Sequence, residues 1–209
     1  MTTTGLGLYP FSQNQPQRHN VFVSYHHDND QYWRDRFENL FVNHYDIMVS
    51  KSVQIGDIPE NTPTDRIRQI IRDNYLPDTT VTVVLIGSET WKRKHVDWEI
   101  SMNIRQTKNN SRSGLLGIIL PNTIDGTTSY QPSSEHVLTD DGQVWYNPHT
   151  IPPRLYDNVK CGFAKIYKWS EDPSTVKQWI HEAFLRRNQV NPDNSYPSFA
   201  HNRSGDRWY

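Results

Sequence analysis

Cysteine is nearly absent: Cys161 is the single one in 209 residues. One thiol cannot close an internal disulfide, and such usage fits a reducing compartment. Without an activating neighbour, a lone thiol is also a poor nucleophile. Long apolar runs are missing, and none approaches the roughly 20 residues that a membrane helix needs. No charged-then-apolar leader opens the chain. Charge of one sign is missing too, since 22 Lys and Arg face 23 Asp and Glu for a net charge of −1. That balance leaves no electrostatic footprint for nucleic acid. The expectation is a soluble cytoplasmic protein with neither membrane nor nucleic acid as a partner. Aromatics are plentiful, with seven Trp and eleven Tyr, and their large areas can build a core.

Several phosphate-handling signatures are also lacking. There is no GxGxxG and no Walker lysine. The absence of a Gly-x-Ser-x-Gly elbow argues against a serine hydrolase. The first strand is followed by His26-His27-Asp28-Asn29-Asp30, which is bulky and acidic where a flavin site would need a phosphate cradle. Where a phosphoacceptor domain would carry aspartate after the third strand, Gly87-Ser88 stands.

What is present is alternation. Residues 1–19 are Thr-, Gly-, Gln- and Pro-rich and read as a flexible arm. Asn20–Tyr25 reads as strand one, Asp46–Val49 as strand two, Val81–Ile86 as strand three, Leu115–Leu120 as strand four and Phe163–Tyr167 as strand five. Asp28-Asn29-Asp30 reads as an N-cap before a helix carrying Trp33, Phe37, Leu40 and Phe41 on one face. Thr64-Asp65 heads a second helix, with Ile67, Ile70 and Ile71 along one side. Val176, Ile180, Ala183 and Phe184 mark the last one. Residues 121–160 are polar and Pro-dotted, and read as a long insertion loop. The tail, 188–209, is Asn-, Ser- and Pro-rich, and its closing Trp208-Tyr209 is able to dock at a place the sequence does not specify. The continuous apolar runs of strands three and four imply burial on both faces. The fold expected is α/β, a doubly wound parallel sheet of about five strands with helices on both faces. The domain expected spans 20–187.

The most informative segment is Ser88-Glu89-Thr90-Trp91-Lys92-Arg93-Lys94-His95-Val96-Asp97-Trp98-Glu99. It follows strand three and opens a helix expected to reach about Gln106. Open α/β sheets place ligands beside the carboxyl ends of such strands. With Val21-Phe22-Val23-Ser24-Tyr25 and Gln54-Ile55-Gly56-Asp57-Ile58, this segment resembles the TIR domain family. The likeness covers roughly 20–187 and is nearest the divergent bacterial branch that includes the TIR proteins of Thoeris anti-phage systems. It implies a flavodoxin-like, TIR-like fold and an enzyme of the NAD glycohydrolase or ADP-ribosyl cyclase type.

In this resemblance Glu99 is the catalytic residue. Substrate contacts for NAD fall on Ser24, Tyr25, His26, Asp57, Ser88, Trp91 and His95, with Trp98 a further stacking candidate. NAD is a substrate here, so no separate cofactor and no metal are expected. The product would be a cyclic or conjugated ADP-ribose signal read by a separate effector protein, and TIR–TIR contacts imply a homo-oligomer. One departure is that many TIR enzymes carry Trp four residues before the glutamate, where this chain has His95.

Plainer readings stand beside these. Glu99 alone reads as a solvated helix carboxylate. Trp91 and Trp98 read as core, and Ser88 as a helix cap. His26-His27-Asp28 lacks a third spaced metal ligand. Lys92-Arg93-Lys94 reads as a solvated face. Two alternative functions remain at this level: a non-enzymatic TIR-type assembly module, and a nucleoside-processing enzyme such as a deoxyribosyl transferase.

Overall fold

The computed structural model describes residues 18–51, 66, 70, 73, 77–107, 111–123 and 134–208. Five strands form one parallel sheet: β1 (His19–Ser24), β2 (Met48–Ser50), β3 (Val81–Ile86), β4 (Gly114–Ile119) and, later in the chain, β7 (Ala164–Lys168). Their spatial order is β2-β1-β3-β4-β7. The chain first winds outward to β2 and then returns across β1 to β3. The reversal falls at the carboxyl ends of β1 and β3, where such sheets usually place a ligand crevice.

Strands β3 and β4 are buried along their whole length. Alternate residues feed two cores. Val81, Val83 and Leu85 pack on one face with Phe37 and Phe41 of the first helical segment and with Val176 and Ile180 of the last. Val84 and Ile86 pack on the other face with Val96, Ile100 and Leu155. The doubly wound expectation is met, because a strand covered on both faces must be apolar at every position.

Helix α1 spans His27–Glu38 and continues as a π-helical segment, Asn39–His44. It starts before the expected cap. His26 is the N-cap and supplies no side-chain capping bond, while Asp28 and Asp30 occupy the first turn. Acidic groups are favoured there by the helix dipole. The helix that carries Glu99, α2, is Lys94–Asn103 and stops short of Gln106. Of the expected helix at Ile67–Ile71, only Ile70 is among the described residues.

The region 121–160 is not one loop. A two-stranded antiparallel hairpin pairs β5 (Val137–Leu138) with β6 (Trp145–Tyr146). A further helix, α3 (Pro153–Lys160), packs against the sheet. Its Leu155 lies so near Gly117 that a Cβ there would come within 3.0 Å of it, which explains a glycine inside β4. Helix α4, Pro173–Arg186, is capped by Asp172, which accepts from the Thr175 amide. None of the described helices is long and apolar enough to cross a membrane.

The tail is bound rather than free. Arg154 on α3 is 1 % exposed and pairs with Asp97 on α2 at 2.9 Å. The same guanidinium donates to the Asn194 side chain and to the Tyr196 carbonyl, each at 2.6 Å. Asp97 also accepts from the Phe199 amide. Trp98 donates its indole N–H to the Phe199 carbonyl, and Trp208 donates its own to the Ile151 carbonyl. The C-terminal segment is thus strapped along the outer side of α2.

Candidate functional site

Ser24 ends β1, and Glu99 sits on α2, 75 residues later. Strand alternation points Ser24 to the α2 side of the sheet and Tyr25 to the other. The Ser24 hydroxyl donates to Glu99 Oε2 at 2.6 Å. Glu99 is only 4 % exposed, so it is not the solvated carboxylate of the plainer reading. Burial pushes its pKa up to about 8, and the Ser24 hydrogen bond works in the opposite direction. Desolvation wins because a charge in the interior loses far more hydration than one hydroxyl restores. A buried, polarised carboxylate at the strand ends is a functional-site signature.

The other residues fall into separate roles. Tyr25 lies in the core on the α1 side and stacks its ring on His27 at 4.4 Å. Its hydroxyl donates to Gln31 at 2.7 Å, and burial raises its pKa to about 12. His26 is buried at the start of α1. Ser88 is exposed in the turn after β3 and is not the cap of α2, because Arg93 holds that place. Trp91 is 2 % exposed in the short turn Thr90–Lys92. His95 is exposed one helical turn before Glu99, its ring edge-on to Trp98. Trp98 itself is buried under the tail. Asp57 lies outside the described residues.

Sequence reasoning missed Asp30. Its carboxylate is fully buried and accepts from Thr90 and from Asn122, each at 3.2 Å. The Thr90 hydroxyl also accepts from the Gly87 amide at 2.8 Å. One aspartate therefore ties the loops after β1, β3 and β4 together. Gly87 makes room for it, since a Cβ there would stand 2.1 Å from the carboxylate. An Asp in the first turn of a helix gave no sign of this, because its partners are 60 and 92 residues away.

A parallel sheet of this order, with a buried carboxylate on the helix after its central strand, defines a TIR-like α/β domain. The family model described as Thoeris protein ThsB, TIR-like domain, matches residues 22–125, and over that span the chain belongs to this anti-phage defence family. The matched span holds Ser24, Asp30, Gly87, Glu99 and Asn122. No curated protein matches the chain.

Proposed function

We propose that this chain cleaves the nicotinamide–ribose bond of NAD at Glu99. The ADP-ribose part would then become a cyclic or conjugated signal for a separate effector in the defence response, made in the cytoplasm. The observation that carries this reading is the buried Glu99 held by Ser24 at the crevice.

The chemistry needs one carboxylate. Glycoside cleavage passes through an oxocarbenium-like transition state, and most glycosidases need a second acid to protonate the leaving group. Nicotinamide leaves from a cationic pyridinium and departs neutral, so no proton donor is required. A carboxylate set against the ribose stabilises the developing positive charge. An interior site strengthens that interaction, because little water screens it. In the free protein Glu99 holds its proton up to about pH 8. A pyridinium beside it favours the ionised form. The acid is therefore poised to become a carboxylate when its cationic substrate arrives.

The test is nicotinamide release from NAD by the purified chain, beside Glu99→Gln, with and without lysate from phage-infected cells. Release that falls by about 10²-fold or more in the variant supports the assignment. Equal turnover in a folded Glu99→Gln protein removes it. Silence of Glu99 together with assembly through the domain surface would favour the interaction module. Turnover of nucleosides lacking a pyrophosphate would favour the deoxyribosyl transferase.

A further inference from the structure

His26 is 4 % exposed, yet neither ring nitrogen has a hydrogen-bond partner among the described residues. Leaving one buried polar atom unpaired costs about 1–3 kcal/mol, so two in one ring call for an explanation. The nearest carboxylate, Asp28, lies 3.5 Å from Nε2 and is itself exposed. His26 is also the N-cap of α1, a helix of 12 residues that has no side-chain cap. Among the described residues, no acceptor pairs with the amides of His27, Asp28 or Asn29. The unpaired imidazole thus belongs to the residue that directly precedes the open amides of this helix start.

The surroundings select what fits. Burial, followed by the charge of Arg93, holds His26 below the usual histidine range, while Asp30, Asp28 and Glu89 pull the other way. A neutral imidazole offers one donor and one acceptor. Three carboxylates near the ring oppose an anion, and Arg93 opposes a cation. The best match is a neutral planar group that both accepts and donates. Position agrees with that chemistry. The backbone at His26 is extended, so His26 and Ser24 share a strand face about 7 Å apart. Ser24 marks the floor beside Glu99, and His26 lies farther out along the same line. That offset suits a nicotinamide whose ribose C1′ sits at Glu99 and whose ring carboxamide reaches toward α1.

We propose that His26, with the open amides of α1, binds the carboxamide of the nicotinamide ring and makes the site selective for amide over acid. This rests on the reading that the site takes NAD. It adds a discrimination that cleavage at Glu99 alone does not require.

The experiment has two arms on the full-length chain. In the first, nicotinamide and nicotinate are titrated into Glu99→Gln and followed by protein NMR. In the second, NAD and its analogue with a carboxylate in place of the carboxamide are compared as substrates of the wild type, His26→Ala and His26→Gln. The expected result is at least a tenfold preference for the amide in both arms. His26→Ala brings the ratio near one, and His26→Gln, which keeps a donor and an acceptor, restores most of it. A merely structural histidine would lower both substrates together and leave the ratio unchanged, which would overturn the proposal. Equal binding of nicotinamide and nicotinate to Glu99→Gln would also overturn it, even if His26→Ala failed to fold. Selective binding of nicotinamide without release from NAD would support the His26 site and sink the cleavage reading. Release without selectivity would do the reverse.

Discussion

At the scale of single residues, Glu99 carries two linked predictions. Its pKa is raised from an ordinary 4.5 to about 8 by burial. The folded state therefore holds a proton that the unfolded chain releases above its own lower pKa. By linkage this contribution is fully present below about pH 4.5 and is lost as pH rises toward 8. Glu99→Gln has no proton to lose. Its melting temperature should gain on the wild type steadily between pH 5 and pH 8, read by differential scanning calorimetry in matched buffers. A gap that stays constant with pH would mean that Glu99 is already ionised in the folded protein. In the proposed reaction catalysis would have the opposite slope, because the carboxylate would be the working form. The kcat/KM for NAD should climb with pH and level off above about 8, since it reports groups of the free protein. Ser24 donates to this carboxylate and lowers its pKa. Ser24→Ala should move the inflection to higher pH, and an unmoved profile would detach Ser24 from Glu99.

At the scale of elements, α2 is held from outside as well as from the sheet. Asp97 and Arg154 are 2 % and 1 % exposed, and the tail closes over them through Phe199, Asn194 and Tyr196. Removing one member of a buried pair leaves the other charged and unpaired, at a cost of about 3–5 kcal/mol. Arg154→Met should therefore lower the urea midpoint far more than a surface Arg change such as Arg36→Met. Comparable midpoints for the two variants would show that the pair adds nothing. Much of this scale was legible in the sequence. Continuous apolar runs gave β3 and β4, because a central parallel strand is buried at each position. The spacing of Val176, Ile180 and Ala183 gave α4. Helix α3 was hidden because it is eight residues long and starts in a Pro-rich stretch. The strap was hidden because a segment fixed by Arg154, Asp97 and backbone carbonyls carries no periodic signal. In the site, residue types alone made Glu99 an ordinary helix carboxylate, and only the family resemblance singled it out. Its contact with Ser24 spans 75 residues, and no local pattern encodes that.

At the scale of the whole molecule, the described residues supply only part of what the proposed substrate NAD would need. In the proposed site, Glu99, Ser24 and His26 would serve the nicotinamide ribose end. A pyrophosphate and an adenine require cations and an open aromatic face. Lys92 and Arg93 are already paired with Glu89. Arg154 is buried against Asp97. The rings of Tyr25, Trp91 and Trp98 are buried in contacts of their own. The first turn of α1 adds Asp28 and Asp30, which oppose phosphate. In this reading the rest of the ligand finds its contacts beyond these described residues, and we propose a second copy as their source. Catalysis would then depend on assembly. Nicotinamide release per chain should rise with protein concentration from nanomolar to tens of micromolar, in step with the mass seen by light scattering. An inactive Glu99→Gln chain that keeps its surface should activate a limiting amount of His26→Ala by lending the missing contacts, but cannot replace the His26 of the acting copy. Turnover per chain that stays flat across that range while scattering reports a monomer would establish a self-sufficient site and discard the assembly requirement.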